Sequence, residues 1–263
     1  MLDRQDWPNL DAENQAELLA YLGTATCATS HYAAHVTWVI THVDSNDYNG
    51  VIWARFSPAE AEYSIPQLVN YFREQGLPAL WQLDAASQPP DIGQRLLAAG
   101  CRPLLPGVCM VASIPSINFH VPRVAGLTIE RVTTLQDLGA WMDVWTHDGE
   151  EARAPREQLY ANLGFETTKP LHHFIARLDG YPVGVSQLFL GRRAAGLYCV
   201  SVLPEFRRHG IGRALTLAPL AVAHARGYDV SVLGPSPAGQ PMYQRLGFEL
   251  VPSAFTGYTL WQE

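Results

Sequence analysis

The stretch Tyr198-Cys199-Val200-Ser201-Val202-Leu203-Pro204-Glu205-Phe206-Arg207-Arg208-His209-Gly210-Ile211-Gly212-Arg213-Ala214-Leu215 decides the reading of this chain. An apolar run ends at Pro204, a basic turn with two glycines follows, and an apolar-periodic helix begins near Gly210. The first turn of a helix carries backbone N–H groups without internal partners, and the helix dipole adds partial positive charge there. Gly210 and Gly212 have no Cβ, so a phosphate can come close to the backbone. Arg207, Arg208 and Arg213 add full charges, and together these features make an anion cradle. The plainer alternative is a tight turn with solvated arginines; the strand before and the long helix after favour the cradle. There is no G-K-[ST], and Leu215 replaces the third glycine of a dinucleotide fingerprint.

Outward from this stretch, the pattern predicts a strand over 127–132 and a helix capped by Thr133, with Leu135, Leu138, Trp141, Met142 and Trp145 at helical spacing. A second helix is expected over 155–163, then strands over 172–178 and 182–190 around the Asp179-Gly180 turn, and a strand over 196–203. The helix from Gly210 should run to Arg226. A strand at 229–233, a helix at 241–246 and strands near 248–251 and 258–261 close the chain.

The N-terminal half has a related order. Strands are expected at 35–41 and 51–56, a helix at 59–74, a strand at 79–83, a helix at 92–99, and strands around Cys101 and 108–112. Gln94-Arg95-Leu96 before Gly100-Cys101 echoes Gln244-Arg245-Leu246 before Gly247-Phe248, a brief match that suggests an internal repeat. Between the halves, 115–126 carries two prolines and a glycine and is expected to be an extended linker. The expected division is therefore 1–114, a linker at 115–126, and 127–263. The fold class is α/β with a mixed sheet.

Composition excludes several classes. With 263 residues, 48% hydrophobic and 16% charged, the chain is globular. A net charge of −7 argues against general attraction to nucleic acid or anionic membrane. No apolar run approaches the ~20 residues that span a bilayer, and the polar N-terminus lacks the apolar core of a signal peptide; the expectation is a soluble, cytoplasmic protein. Cys27, Cys101, Cys109 and Cys199 form no C-x-x-C pair and are expected to be buried free thiols. His172-His173 lacks the spacing of a helical metal site, and no metal is expected. Trp38, Trp53 and Trp81 are expected in core or interface positions.

These residues resemble the GNAT superfamily of N-acetyltransferases, whose signature is [RQ]-x-x-G-x-[GA] after a strand ending in Val-x-Pro. Here that is Val202-Leu203-Pro204 and then Arg207 to Gly212. A second family element, a strand followed by a helix ending in Tyr-x-x-x-Gly-Phe, matches 230–233 and Tyr243 to Phe248. The resemblance covers roughly 127–261. It implies a mixed, mostly antiparallel GNAT-like sheet flanked by helices, and two tandem GNAT-like domains. The first of these has Phe56-Ser57-Pro58-Ala59-Glu60 in place of the glycine loop and Gly93, or a neighbour, in place of the tyrosine.

The resemblance further implies acetyl-CoA as co-substrate, lying in a gap of the sheet. Val200 and Val202 would pair with its pantetheine, and the backbone of Arg208, His209, Gly210, Ile211, Gly212 and Arg213 would hold its pyrophosphate. Tyr243 matches the proton donor to the departing thiolate, and its plainer role is a core aromatic. The general base is not identified, because the strand over 196–203 carries no carboxylate. Asp148, Glu150 and Glu151 lie where the family often binds acceptor, or form a solvated acidic loop. Cys199 lacks the paired His a nucleophile needs and reads as a packed thiol. The leading expectation is acetyl transfer to a primary amine of a small molecule. A CoA-binding sensor or scaffold and a protein or peptide acetyltransferase remain open, as do the monomeric and homodimeric states.

Overall fold

The computed structural model describes residues 4–84, 86–104, 107–120, 124–147, 149 and 153–260. In chain order the elements are α1 (Trp7–Leu22), β1 (Thr29–Tyr32), β2 (Val36–Ile40), β3 (Gly50–Ala54), α2 (Pro58–Gln75), β4 (Leu80–Leu83), α3 (Ile92–Ala98), β5 (Arg102–Pro103) and β6 (Val108–Ser113). They continue with β7 (Leu127–Arg131), α4 (Leu135–Trp145), α5 (Arg153–Leu163), β8 (Leu171–Leu178), β9 (Tyr181–Leu190), β10 (Ala195–Val202), α6 (Ile211–Ala225), β11 (Val230–Leu233), α7 (Gln240–Arg245), β12 (Glu249–Pro252) and β13 (Thr256–Thr259).

The fold is mixed α/β, with two mostly antiparallel sheets flanked by helices. One compact unit comprises Met1–Gln15, Val108–Arg153 and Gly164–Ser253; the other comprises Ala16–Gly107, Ala154–Leu163 and Ala254–Glu263. The first unit has a seven-stranded sheet in the order β12-β6-β11-β10-β9-β8-β7, and the second a six-stranded sheet in the order β1-β2-β3-β4-β13-β5. Each has one parallel pair, β10 with β11 and β3 with β4.

The compact units differ from a simple cut at 115–126. β6 comes from the N-terminal half yet lies between β11 and β12, with Val111 opposite Val232 on one side and Glu249 on the other. β13, the last strand of the C-terminal half, lies between β4 and β5, with Tyr258 opposite Trp81 and Pro103. The two halves of the sequence have thus exchanged their final strands. The physical cause is an apolar demand that local sequence does not disclose: Cys109, Met110, Val111 and Ala112 of β6 are all 0% exposed within the sheet they join.

The linker expectation also changes. Residues Ile114–Ser116 form a 3-10 turn, Ile114 and Ile117 are buried, and Phe119 stacks on His224 with ring centroids 5.9 Å apart. This segment belongs to the core of the unit it enters, because its apolar side chains gain more from burial than from solvent; residues 121–123 lie outside the described set.

Local signals otherwise agree with the sequence to within a few residues. Thr134, not Thr133, caps α4, because its hydroxyl must accept from the N–H three residues on, that of Asp137. α2 starts with a full capping box between Ser57 and Glu60. The internal repeat has a structural counterpart: α3 and α7 each end before a left-handed glycine, Gly100 at φ 88° and Gly247 at φ 97°. α1 and β1 carry no counterpart in the sequence reading.

Candidate functional site

The parallel pairing of β10 with β11 consists of Ala195 opposite Ser231 and Gly196 opposite Val232. On its other side β10 pairs with β9 from Ala195 opposite Leu190 to Val202 opposite Gly184. A bulge between Tyr198 and Ser201 turns the strand, with Cys199 at φ 53°. Leu203 N–H donates to the Val183 carbonyl, so the backbone polar groups of Ser201 and Leu203 face β9. By alternation, those of Val202 face away from β9, while Val200 lies within the bulge. The recorded pairing of β10 with β11 thus ends at Gly196, six residues before the end of β10.

At the end of β10 the chain makes a 3-10 turn over Pro204–Phe206 and enters α6. Arg208 takes φ 69° and Gly210, the N-cap, takes φ 83°. No side chain among the described residues caps α6, so the amides of Ile211, Gly212 and Arg213 sit in the uncapped first turn. A Cβ on Gly212 would stand 3.3 Å from Met242 Sδ and 3.9 Å from Val202 Cγ2, which ties the glycine to a close approach of α6, α7 and β10.

The arginines divide by role. Arg207 Nε donates to the Val202 carbonyl at 2.8 Å, which pins the turn back onto β10 and engages one of the edge acceptors. Arg213 donates to the His120 carbonyl at 3.0 Å. Arg208, His209 and Gly210 form the exposed rim of the turn.

Tyr243 on α7 is buried, packed edge-on against Phe248 with centroids 5.8 Å apart. Its hydroxyl lies in hydrogen-bonding range of Thr216, and burial, opposed by that hydrogen bond, pushes the phenol up to about 12. Thr216 in turn donates to the Gly212 carbonyl at 2.9 Å, so the phenol reaches the back of the first turn of α6.

A polar row crosses the sheet beside the bulge. The Tyr198 hydroxyl donates to Asn14 Oδ1 at 2.6 Å, and Asn14 Nδ2 donates to the Ala194 carbonyl. The Cys199 thiol donates to Gln187 Oε1 at 3.5 Å, and Gln187 Nε2 lies 3.1 Å from His173 Nε2. Burial holds the His173 imidazole neutral, pushed down to about 3, so its Nε2 accepts from Gln187. Asn14 was missed in the sequence because its partner lies 184 residues away.

Among the described residues no group of three or more His, Cys, Asp or Glu is placed to hold a metal ion. No helix among them is long and apolar enough to cross a membrane. All four cysteines are free; Cys101 and Cys109 are buried, whereas Cys27 and Cys199 are half-buried. Asp148, Glu150 and Glu151 lie outside the described residues.

Residues 169–250 match the family model described as Acetyltransferase (GNAT) domain. The matched segment is less than half of the chain. It contains β10, α6 and α7. Over 132 residues the chain is 27% identical to the mycothiol acetyltransferase of Streptomyces griseus subsp. griseus, a match spanning 47% of this chain and 43% of that protein. A GCN5-related N-acetyltransferase from Kribbella flavida shares the fold over 95% of each chain, with a TM-score of 0.68 and 19% identity. A tandem GNAT protein from the clavulanic acid biosynthesis pathway aligns over 97% of each chain, with a TM-score of 0.57 and 14% identity. The fold is thus shared with both of these structures over nearly the whole chain.

Proposed function

We propose that this protein transfers acetyl from acetyl-CoA to a primary amine of a small molecule, using the β10–β11 opening of its GNAT domain. The observation that carries the reading is the divergence of those strands directly beside an uncapped, glycine-started helix. The residues fit the co-substrate: the Val202 amide and the bulged backbone at Val200 suit an amide-bearing arm, although Arg207 already engages the Val202 carbonyl, and the turn from Arg208 to Arg213 suits a diphosphate. Anchored arginines at 207 and 213 hold that turn in shape before anything binds, which lowers the ordering cost.

The chemistry needs a neutral amine, while a lysine-type amine titrates near ~10.4. β10 offers no carboxylate, so deprotonation falls to water or to groups beyond this strand. The polar row of Tyr198, Cys199 and Gln187 beside the bulge suits acceptor binding rather than proton removal, because the buried His173 at its end stays neutral and enclosed. Tyr243 suits stabilisation of the departing thiolate. With its phenol at about 12 and an ordinary thiol near ~8.5, full proton transfer from the resting environment costs roughly 5 kcal/mol. Tyr243 therefore acts as a hydrogen-bond donor to developing charge.

Incubation with acetyl-CoA and a panel of small amines, followed by free-thiol release, tests the reading. Turnover with at least one amine supports it; tight CoA binding with no turnover on any amine contradicts it.

A further inference from the structure

We infer that the unit built around β3 and β4 keeps its own chain where the GNAT domain would take an acyl-CoA, so the protein binds one acyl-CoA per chain. The inference rests on the reading of the β10–β11 opening given above.

That unit repeats the central geometry of the first. β3 and β4 pair in parallel through Gly50 opposite Leu80 and Val51 opposite Trp81, and then diverge. Arg55 N–H donates to the His35 carbonyl, so Arg55 faces β2 and the neighbouring groups of Ala54 and Phe56 face the diverging edge. Here the edge is occupied. Gln88 N–H donates to the Ala54 carbonyl at 3.3 Å and Phe56 N–H donates to the Gln88 carbonyl at 3.2 Å, a parallel bridge between Arg55 and Gln88. The chain leaving β4 has folded back into the opening and supplies the backbone that an amide-bearing arm would supply.

The returning chain is fastened. Asp84 accepts from the Ala86 amide and the Ser87 hydroxyl, and Ser87 Oγ accepts from the Asp84 amide. Arg55 ties the turn down by donating to Asp84 Oδ2 at 2.9 Å. This pair is half-exposed, so its contribution is positional more than energetic.

The anion cradle is closed as well. Three residues (55–57) join β3 to α2, where eight (203–210) join β10 to α6. Ser57 caps α2 by accepting from the Glu60 amide, and the Glu60 carboxylate accepts from the Ser57 amide at 2.8 Å. The negative group at this helix start is thus the protein's own, and its hydrogen bonds from Ser57 hold the carboxyl below the usual range. The phenol position is vacant too. In α7 the closing bond runs from Phe248 N–H to the Tyr243 carbonyl, and in α3 from Cys101 N–H to the Leu96 carbonyl. Leu96, fully buried, therefore stands where Tyr243 stands, in place of the expected Gly93 or a neighbour of it.

The test combines two readouts on the full-length protein. Isothermal titration with CoA should give one site per chain; two sites would overturn the inference. Hydrogen exchange should find the Gln88 and Phe56 amides protected in the free protein and unchanged by saturating CoA. Rapid exchange of both in the free protein, or a change on CoA addition, would overturn it. Protection at Gln88 and Phe56 without any CoA binding would sustain the closed slot while removing the acyl-CoA reading of the other unit, so the two failures are distinguishable.

Discussion

Gly196 lies opposite Val232, and with that pair the parallel register of β10 and β11 ends. The strands part where α6 begins with a bare glycine cap. A substitution at Gly212 probes this corner, since any Cβ there meets Met242 Sδ at 3.3 Å and its own amide belongs to the uncapped turn. For Gly212→Leu we expect CoA affinity to fall about tenfold to a hundredfold, the loss of one or two hydrogen bonds to a charged group. Calorimetry checks this; unchanged affinity in a folded variant would remove the turn from the binding site.

Tyr243→Phe removes a hydroxyl that touches Thr216 while Thr216 keeps its bond to Gly212. We expect kcat to drop by about tenfold or more, with CoA affinity nearly unchanged. Steady-state rates with the best amine of the panel decide it. A variant with full activity would make Tyr243 a packing residue. Because the phenol titrates near 12, no activity limb below pH 10 should trace to it.

His172 and His173 give a signed pH dependence. Burial, with the Arg226 and Arg131 charges, depresses His172 to about 4; burial, then His172, depresses His173 to about 3. Both lie below the ordinary value near ~6.5, so on acidification the unfolded chain takes up these protons first. Their contribution to stability is complete above ~6.5 and is lost as pH falls toward the folded values, with a slope of up to ~1.4 kcal/mol per pH unit for each group. Urea unfolding between pH 7 and 5 should show the decline, and His173→Gln should reduce its slope. A flat profile would contradict the burial of both rings.

The strand exchange predicts that neither sequence half stands alone. A fragment starting at residue 115 lacks β6, and with it the fully buried Met110 and Val111. Each such side chain contributes about 1.5–3 kcal/mol, a large share of the ~5–15 kcal/mol that holds a domain together. We expect that fragment to be unfolded or aggregated by circular dichroism and gel filtration. A soluble, cooperatively folding fragment would show that β6 is dispensable.

How far the sequence speaks depends on how local each signal is. The β10–α6 turn, the α7 tyrosine and the strand pairs around Asp179-Gly180 were legible because each rests on neighbours in the chain. α1 was not, since its buried face includes Asp11 and Asn14, which break the apolar period. Asn14 is tolerated there because Ala194 and Tyr198 satisfy it. The exchange of β6 and β13 was invisible for the same reason: both read as strands, and the choice of sheet depends on edges that only the folded chain presents. Leu96, rather than Gly93, emerged as the counterpart of Tyr243 only from the bond that closes each helix.

The most direct measurement is a structure of the protein with CoA bound. The diphosphate should lie within hydrogen-bonding distance of the Ile211, Gly212 and Arg213 amides, with the pantetheine arm along Val200 and Val202. CoA seated elsewhere, or protein side chains filling that corner in the complex, would contradict the assignment.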